Sequence, residues 1–232
     1  MSGSLAPQAP SSADPVFEGV FGRYTITAAD RREVLGYRLA LTSVALAQLA
    51  LALQWRQLGS QTLWPWLVAM AAGLGLALRW IHIYLRPLHQ ALQLFWLLGC
   101  VGFVGLAAWL GPEALVREAL QRPLAILAVG PFFAALTGVG FKEFFCFRRP
   151  EAIGVTLLLP LALLGRLTGL LTVSLSLQLL ALQAALLLVL CLRKFPMAAA
   201  ADVGDKSVFT HLERQRHGVG SADAAAAGEL TP

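Results

Sequence analysis

The sequence predicts an all-α, polytopic membrane protein with about six transmembrane helices and both termini on the cytoplasmic side. Three observations carry this. Six stretches between Leu39 and Leu192 are apolar and nearly uncharged, each close to the roughly 20 residues that cross a hydrocarbon core. Charged residues fill only 13% of the 232 positions against 57% hydrophobic, where a soluble domain carries roughly 25%. The basic residues lie singly or in pairs at the ends of the apolar runs, as in cytoplasmic loops. That placement accounts for the net charge of +5 without nucleic-acid binding.

Residues 1–15 are polar and rich in Pro and Ser and are expected to be a disordered tail. No apolar run occurs near the N-terminus, so the first span is expected to direct insertion. Residues 16–37 form an interfacial segment and the start of helix one. Val16 to Thr27 alternates as a short strand pair or extended segment, and Thr27 with Asp30 three residues on reads as an N-cap. The transmembrane domain occupies 38–195. Its spans run from Leu39 to Trp55, Leu63 to Tyr84, Leu88 to Leu110, Leu124 to Phe145, Ile153 to Leu171 and Leu175 to Leu192. Trp64 and Trp66 around Pro65 open the second, and a weak break over Arg166 to Ser174 separates the last two. Helices are required because open strands leave backbone groups unsatisfied in lipid. Residues 196–232 are a polar, partly disordered C-terminal tail.

Orientation follows from the basic residues. With six spans, one side holds Arg23, Arg31, Arg32, Arg38, Arg79, Arg86, Lys142, Arg148, Arg149, Arg193 and Lys194. The other holds Arg56, Arg117, Arg122 and Arg166. Eleven against four puts the first side, with both termini, in the cytoplasm.

Two kinds of constellation stand out. Gly130, Ala134 and Gly138 recur every four residues in span four, a spacing that lets helix backbones approach closely in lipid. Gly99, Gly102 and Gly105 in span three are a weaker partner stripe. At the end of span four, Lys142 and Glu143 lie among Phe141, Phe144, Phe145 and Phe147, ahead of Arg148 and Arg149. Charge at membrane depth tends to mark function, while an interfacial anchor is the structural alternative. Glu143 is expected to be buried and paired with Arg149, Arg148 or Arg86, in that order. His82 and His89 bracket the Pro87 turn and are expected near the same face as Cys146 and Glu143. Two imidazoles, a thiol and a carboxylate could ligate a transition metal, and a histidine could ligate a haem or a chlorophyll magnesium. Interfacial histidines with a structural role are the alternative, and no cofactor is specified. The cysteines Cys100, Cys146 and Cys191 have no CxxC spacing and read as reduced, packed thiols.

Several blocks resemble a known family. They are Phe21-Gly22-Arg23-Tyr24-Thr25-Ile26-Thr27 with Asp30-Arg31-Arg32-Glu33-Val34, and Ile81-His82-Ile83-Tyr84-Leu85 with Pro87-Leu88-His89 and Ala91-Leu92-Gln93. Further along come Phe133-Ala134-Ala135-Leu136-Thr137-Gly138, Phe141-Lys142-Glu143, Phe145-Cys146-Phe147 and Gly204-Asp205-Lys206-Ser207-Val208-Phe209. Together, over residues 17 to 210, the chain is similar to the uncharacterised integral membrane proteins of cyanobacteria and plant plastids, a domain-of-unknown-function family. The resemblance implies a thylakoid or plasma membrane in an oxygenic phototroph and no particular activity. Arg148-Arg149 stands where the family pattern has Asn-Arg, which leaves Arg149 the better candidate for a shared role.

No Walker A loop, HExxH, GxSxG or GxGxxG in a strand–helix context occurs, and no acid or base sits at the centre of a span. The reading is therefore a non-enzymatic accessory or assembly protein, with membrane lipid and other membrane proteins as partners and an open oligomeric state. The alternatives are a small-solute or ion transporter gated by Lys142 and Glu143, and a metal- or pigment-binding membrane protein.

Overall fold

A computed structural model describes residues 14–59, 62–209, 211–212 and 214. The expected N-terminal tail lies outside the described residues up to 13, as does the low-complexity C-terminal end. Among the described residues the regular structure is helical apart from one hairpin, and the chain divides into two compact units, residues 1–35 with 198–232 and residues 36–197. The long first helix, α1 (Ala28–Leu58), contributes its first turns to the smaller unit and the rest to the larger.

The smaller unit explains two of the sequence blocks. Strands β1 (Val16–Gly19) and β2 (Gly22–Thr25) pair antiparallel, with Val16 opposite Thr25. The turn between them is clasped by the C-terminal segment: Val20 N–H donates to Asp205 Oδ2 at 2.7 Å and Phe21 N–H to Ser207 Oγ at 3.0 Å. Asp205 Oδ1 in turn accepts from the Ser207 hydroxyl at 2.6 Å and its amide at 2.9 Å. A Cβ at Gly19 would collide with the Asp205 carboxylate and the Ser207 hydroxyl, so a larger residue there would displace the clasp. The N-cap signal is realised reciprocally: Asp30 Oδ2 accepts from Thr27 N–H at 2.7 Å and from its hydroxyl at 2.8 Å, while Asp30 N–H reaches back to Thr27 Oγ1. Lys206 Nζ donates to both Asp30 oxygens, at 2.8 and 3.0 Å, and Ile26, Val34 and Val203 close a small core.

The larger unit continues with α2 (Trp64–Trp80), α3 (Arg86–Leu110), α4 (Leu115–Gln121), α5 (Ala125–Phe147), α6 (Pro150–Leu167) and α7 (Val173–Lys194), while α8 (Ala199–Val203) belongs to the smaller one. Among the described residues, five helices are long and apolar enough to cross a membrane: α1, α3, α5, α6 and α7. Helix α2 has 17 residues, at the lower limit of about 17 for a span. It ends at Trp80 instead of the expected Tyr84, because Ile81 is extended (ψ 132°) and Pro87 restarts the chain in the first turn of α3. The break between the last two spans is present: α6 stops at Leu167, Gly169 takes φ +77°, and Thr172 caps α7 by accepting from Leu175 N–H at 3.2 Å. Helix α4 was not expected; its buried Leu115 and Val116 fold the loop onto the bundle.

Within the larger unit, the Gly130, Ala134 and Gly138 stripe meets a neighbouring helix only at Gly138. Ala134 is exposed, a Cβ on Gly130 would meet nothing within 4 Å, and Gly138 approaches only the Leu92 side chain. Gly130 and Ala134 instead line an open groove with Phe95, Leu159 and Leu163. Close backbone approach occurs through the stripe judged weaker: a Cβ on Gly99 would collide with the backbone of Phe132, and one on Gly102 with the carbonyl of Ala128. A Cβ on Gly140 would instead press on the side chains of Val155 and Thr156 on α6. Regular spacing identifies a stripe, but which way the helix is turned decides whether the stripe touches anything.

Candidate functional site

The C-terminal ends of α5 and α7, the start of α6 and the early part of α1 meet at one end of the larger unit. Glu143, on the last turns of α5, is fully buried, and Tyr37, Lys142 and Lys194 around it are 2%, 7% and 1% exposed. The Tyr37 hydroxyl donates to Glu143 Oε1 at 2.6 Å and Lys142 Nζ to the same oxygen at 3.2 Å. Lys194 Nζ, arriving from α7, donates to Oε2. Both ammonium groups also face aromatic rings. Lys194 Nζ lies 4.3 Å from the Phe147 centroid and 5.3 Å from that of Tyr37; for Lys142 the values are 5.7 and 5.4 Å. Such cation–π contacts return part of the hydration the cations lose on burial.

A second bridged carboxylate lies beside the first. Glu151, in the first turn of α6, receives Arg193 at 2.8 Å and Arg149 at 3.7 Å. Arg149 also contacts the Met197 sulfur at 3.1 Å, and the buried Arg38 donates to the Met197 carbonyl at 2.9 Å. Four cations (Lys142, Arg149, Arg193, Lys194) thus pair with two carboxylates, Glu143 and Glu151. The arrangement holds four helices together and leaves an excess of positive charge at that end.

Several expectations are corrected by this geometry. Glu143 is buried and paired, but with Lys142 and Lys194, not with Arg149, Arg148 or Arg86. Arg148 adopts φ +48° and donates its amide to Phe144 O at 2.7 Å, ending α5 and turning the chain so that Arg149 faces Glu151. His89 lies between α2 and α3: its Nε2 sits 2.7 Å from the Leu78 carbonyl and 3.2 Å from Gln93. His82 is half-buried in the extended segment after α2, Arg86 is exposed at the start of α3, and Cys146 is exposed on α5. Among the described residues, no three of His82, His89, Cys146 and Glu143 bring ligand atoms within 4.8 Å of one another. The structure does not assemble the metal constellation that the sequence suggested.

Two partners escaped sequence reasoning. Lys194 counted only as a topology-setting charge, and it lies 51 residues from Glu143. Tyr37 was unmarked beside Arg38. Deeper in the bundle, Gln48 and Gln183 also went unremarked, although an amide within an apolar run is a signal of its own. Gln48 Nε2 donates to Gln183 Oε1, joining α1 to α7 a second time.

The model of a family described as "Uncharacterized integral membrane protein (DUF2301)" matches residues 76–211, more than half of the 232-residue chain. No curated protein and no solved structure matches the chain.

Proposed function

The chain belongs to this DUF2301 family of integral membrane proteins, and we propose that it serves in the bilayer as a non-enzymatic accessory or assembly protein. In this reading it has six spans, with α2 as the shortest, and both termini face the cytoplasm. The observation that carries it is the state of Glu143: both oxygens are occupied by donors from α1, α5 and α7. A carboxylate so fully engaged clamps helices together, whereas a relay group needs a free face from which to exchange a proton or solute. The clamped end gathers the basic residues of the cytoplasmic face, and the outer helix faces carry exposed apolar side chains such as Leu94, Leu97, Val101 and Val104 of α3. Membrane lipid and other membrane proteins are the partners these surfaces suit. The resemblance of the sequence blocks to those of proteins of cyanobacteria and plant plastids favours a thylakoid or plasma membrane.

Purification of the full chain in mild detergent, followed by native electrophoresis and an absorption spectrum, tests the proposal. A discrete complex with a membrane protein, lost when α3 outer positions such as Val101 are made bulky and polar, is expected. A partner-free, colourless protein that moves a solute across liposomes would overturn it in favour of transport. Reporter fusions at Gly111 and after Lys194 test the topology: activity outside at Gly111 and inside after Lys194 is expected.

A further inference from the structure

Helices α2 and α3 run antiparallel, with His89 against Leu78 and Trp96 against Ala71. Between them lies an open crevice of about 500 Å³, within the ~300–1,000 Å³ usual for small-molecule sites. Its lining is graded. Arg79 and Gln93 stand at the end nearest the interhelical turn, and Leu94, Leu97, Trp96 and Gly75 lead toward the middle of the two helices. Trp96 builds the inner end. Its Nε1 donates to the Ala71 carbonyl at 2.8 Å, and its ring fills the space beside Gly75, where a Cβ would lie 2.6 Å from Cζ2. Leu94 and Leu97 are 54% and 52% exposed, so the crevice opens on the outer face of the helices. Among the described residues, the exposed Arg79 makes no hydrogen bond and no ion pair. Gln93 is also unsatisfied. His89 Nε2 is 2.7 Å from the Leu78 carbonyl, which can only accept, so that nitrogen carries a hydrogen and offers no lone pair to Gln93 Nε2 at 3.2 Å.

A guanidinium and an amide donor at one end, with apolar walls open to lipid at the other, match an amphiphile with an anionic head. We propose that the crevice binds an anionic phospholipid: its phosphodiester accepts from Arg79 and Gln93, and one acyl chain runs along Leu94 and Leu97 toward Trp96. Guanidinium suits this because its fork of N–H donors fits two phosphate oxygens at once. A zwitterionic head would bring a cation of its own, and no acidic residue lines the crevice to receive it. Free phosphate would satisfy Arg79 and leave the apolar inner end unfilled. The proposal rests on the bilayer placement in the preceding reading and not on the assembly role. With α2 as a span, Arg79 stands at the cytoplasmic level, where anionic lipids give the leaflet its negative surface potential.

The test titrates the purified full chain in mild detergent with dioleoylphosphatidylglycerol and counts bound lipid by native mass spectrometry. This readout needs neither a protein partner nor a membrane orientation, so failure of the assembly reading would leave it intact, and its own failure would leave that reading intact. Saturable binding is expected, about tenfold tighter than that of dioleoylphosphatidylcholine. Excess glycerol 3-phosphate, the head without the chains, should not displace the lipid. Arg79→Gln should weaken phosphatidylglycerol binding about tenfold, the loss of a hydrogen bond to a charged group, and erase the preference over phosphatidylcholine. Gln93→Leu should weaken it about fivefold. Both side chains are exposed, so both variants should melt as the wild type does. Arg56→Gln, at an exposed arginine in the last turn of α1, should bind as the wild type. The comparison of the two lipids on the wild-type chain stands even if a variant misfolds. Equal affinity for the two lipids, displacement by glycerol 3-phosphate, wild-type binding by Arg79→Gln, or an equal loss in Arg56→Gln would overturn the proposal.

Discussion

The seam between α1 and α7 carries polar groups at two levels, and they are built differently. At one end Tyr37, Lys142 and Lys194 occupy both oxygens of Glu143, and aromatic rings cover the cations. Further along the same two helices, Gln48 and Gln183 share one hydrogen bond and leave an acceptor and a donor unpaired. The charged level is closed and the neutral level is open. A buried ion must be matched completely or the helices will not associate, whereas an amide with one bond missing is tolerated. The closed level therefore suits holding the helices, and the neutral level adds a single hydrogen bond between them.

The largest effect that could break this contrast is at Glu143. Glu143→Leu strands two buried ammonium groups and should lower stability by about 3–5 kcal/mol, read as unfolding in mixed micelles. Converting Lys142, Glu143 and Lys194 together to Met, Leu and Met should recover most of that loss, since an apolar replacement strands no charge. A triple variant as unstable as the single one would show that the clamp is more than paired charge.

Packing gives the next effect. Gly102→Leu drives a side chain into the Ala128 carbonyl and should cost about 1–3 kcal/mol or prevent folding. Ala134→Leu, on the exposed stripe, should stay within about 0.5 kcal/mol. The opposite order would restore the stripe of Gly130, Ala134 and Gly138 as the packing face.

Glu151 sharpens the comparison among charges. Its partner Arg193 has a side chain 54% exposed, so solvent recovers much of what the pair supplies. Glu151→Gln should lower stability by about 1 kcal/mol, well below Glu143→Leu in the same unfolding assay. At the open level, Gln48→Leu/Gln183→Leu should change stability by less than about 1 kcal/mol. Gln48→Leu alone should be the worse of the two, since it orphans Gln183 completely.

The smallest effect lies in the hairpin unit. The Ser207 hydroxyl, followed by the Val20 amide, holds the exposed Asp205 carboxyl below the usual aspartate range. A depressed folded value means that the clasp is fully present above that range and is lost as the pH falls through it and below. The Val20 and Phe21 amide resonances should therefore hold steady from neutral pH into mild acid and shift only in stronger acid. Asp205→Asn should shift them at every pH.

Much of this was legible from local pattern. The run lengths, the break before Thr172, the Thr27–Asp30 cap and the burial of Glu143 all follow from residues within a few turns of one another. The partners of Glu143 were not legible, because the local candidates Arg148 and Arg149 are swung away by a left-handed residue and the true partners come from α1 and α7. His82, His89 and Cys146 share an end of the chain's spans, but sharing an end does not bring ligand atoms together.

By itself the sequence determined that this is an α-helical membrane protein, because hydrocarbon length and backbone satisfaction act on each segment separately. It also placed the charges at helix ends, since desolvation penalises them anywhere else. Which glycines touch a neighbour, which lysine meets Glu143, and that Gln48 meets Gln183 were decided only by the tertiary structure. Those outcomes depend on how each helix is rotated about its axis, and rotation is fixed jointly by all the helices that pack together.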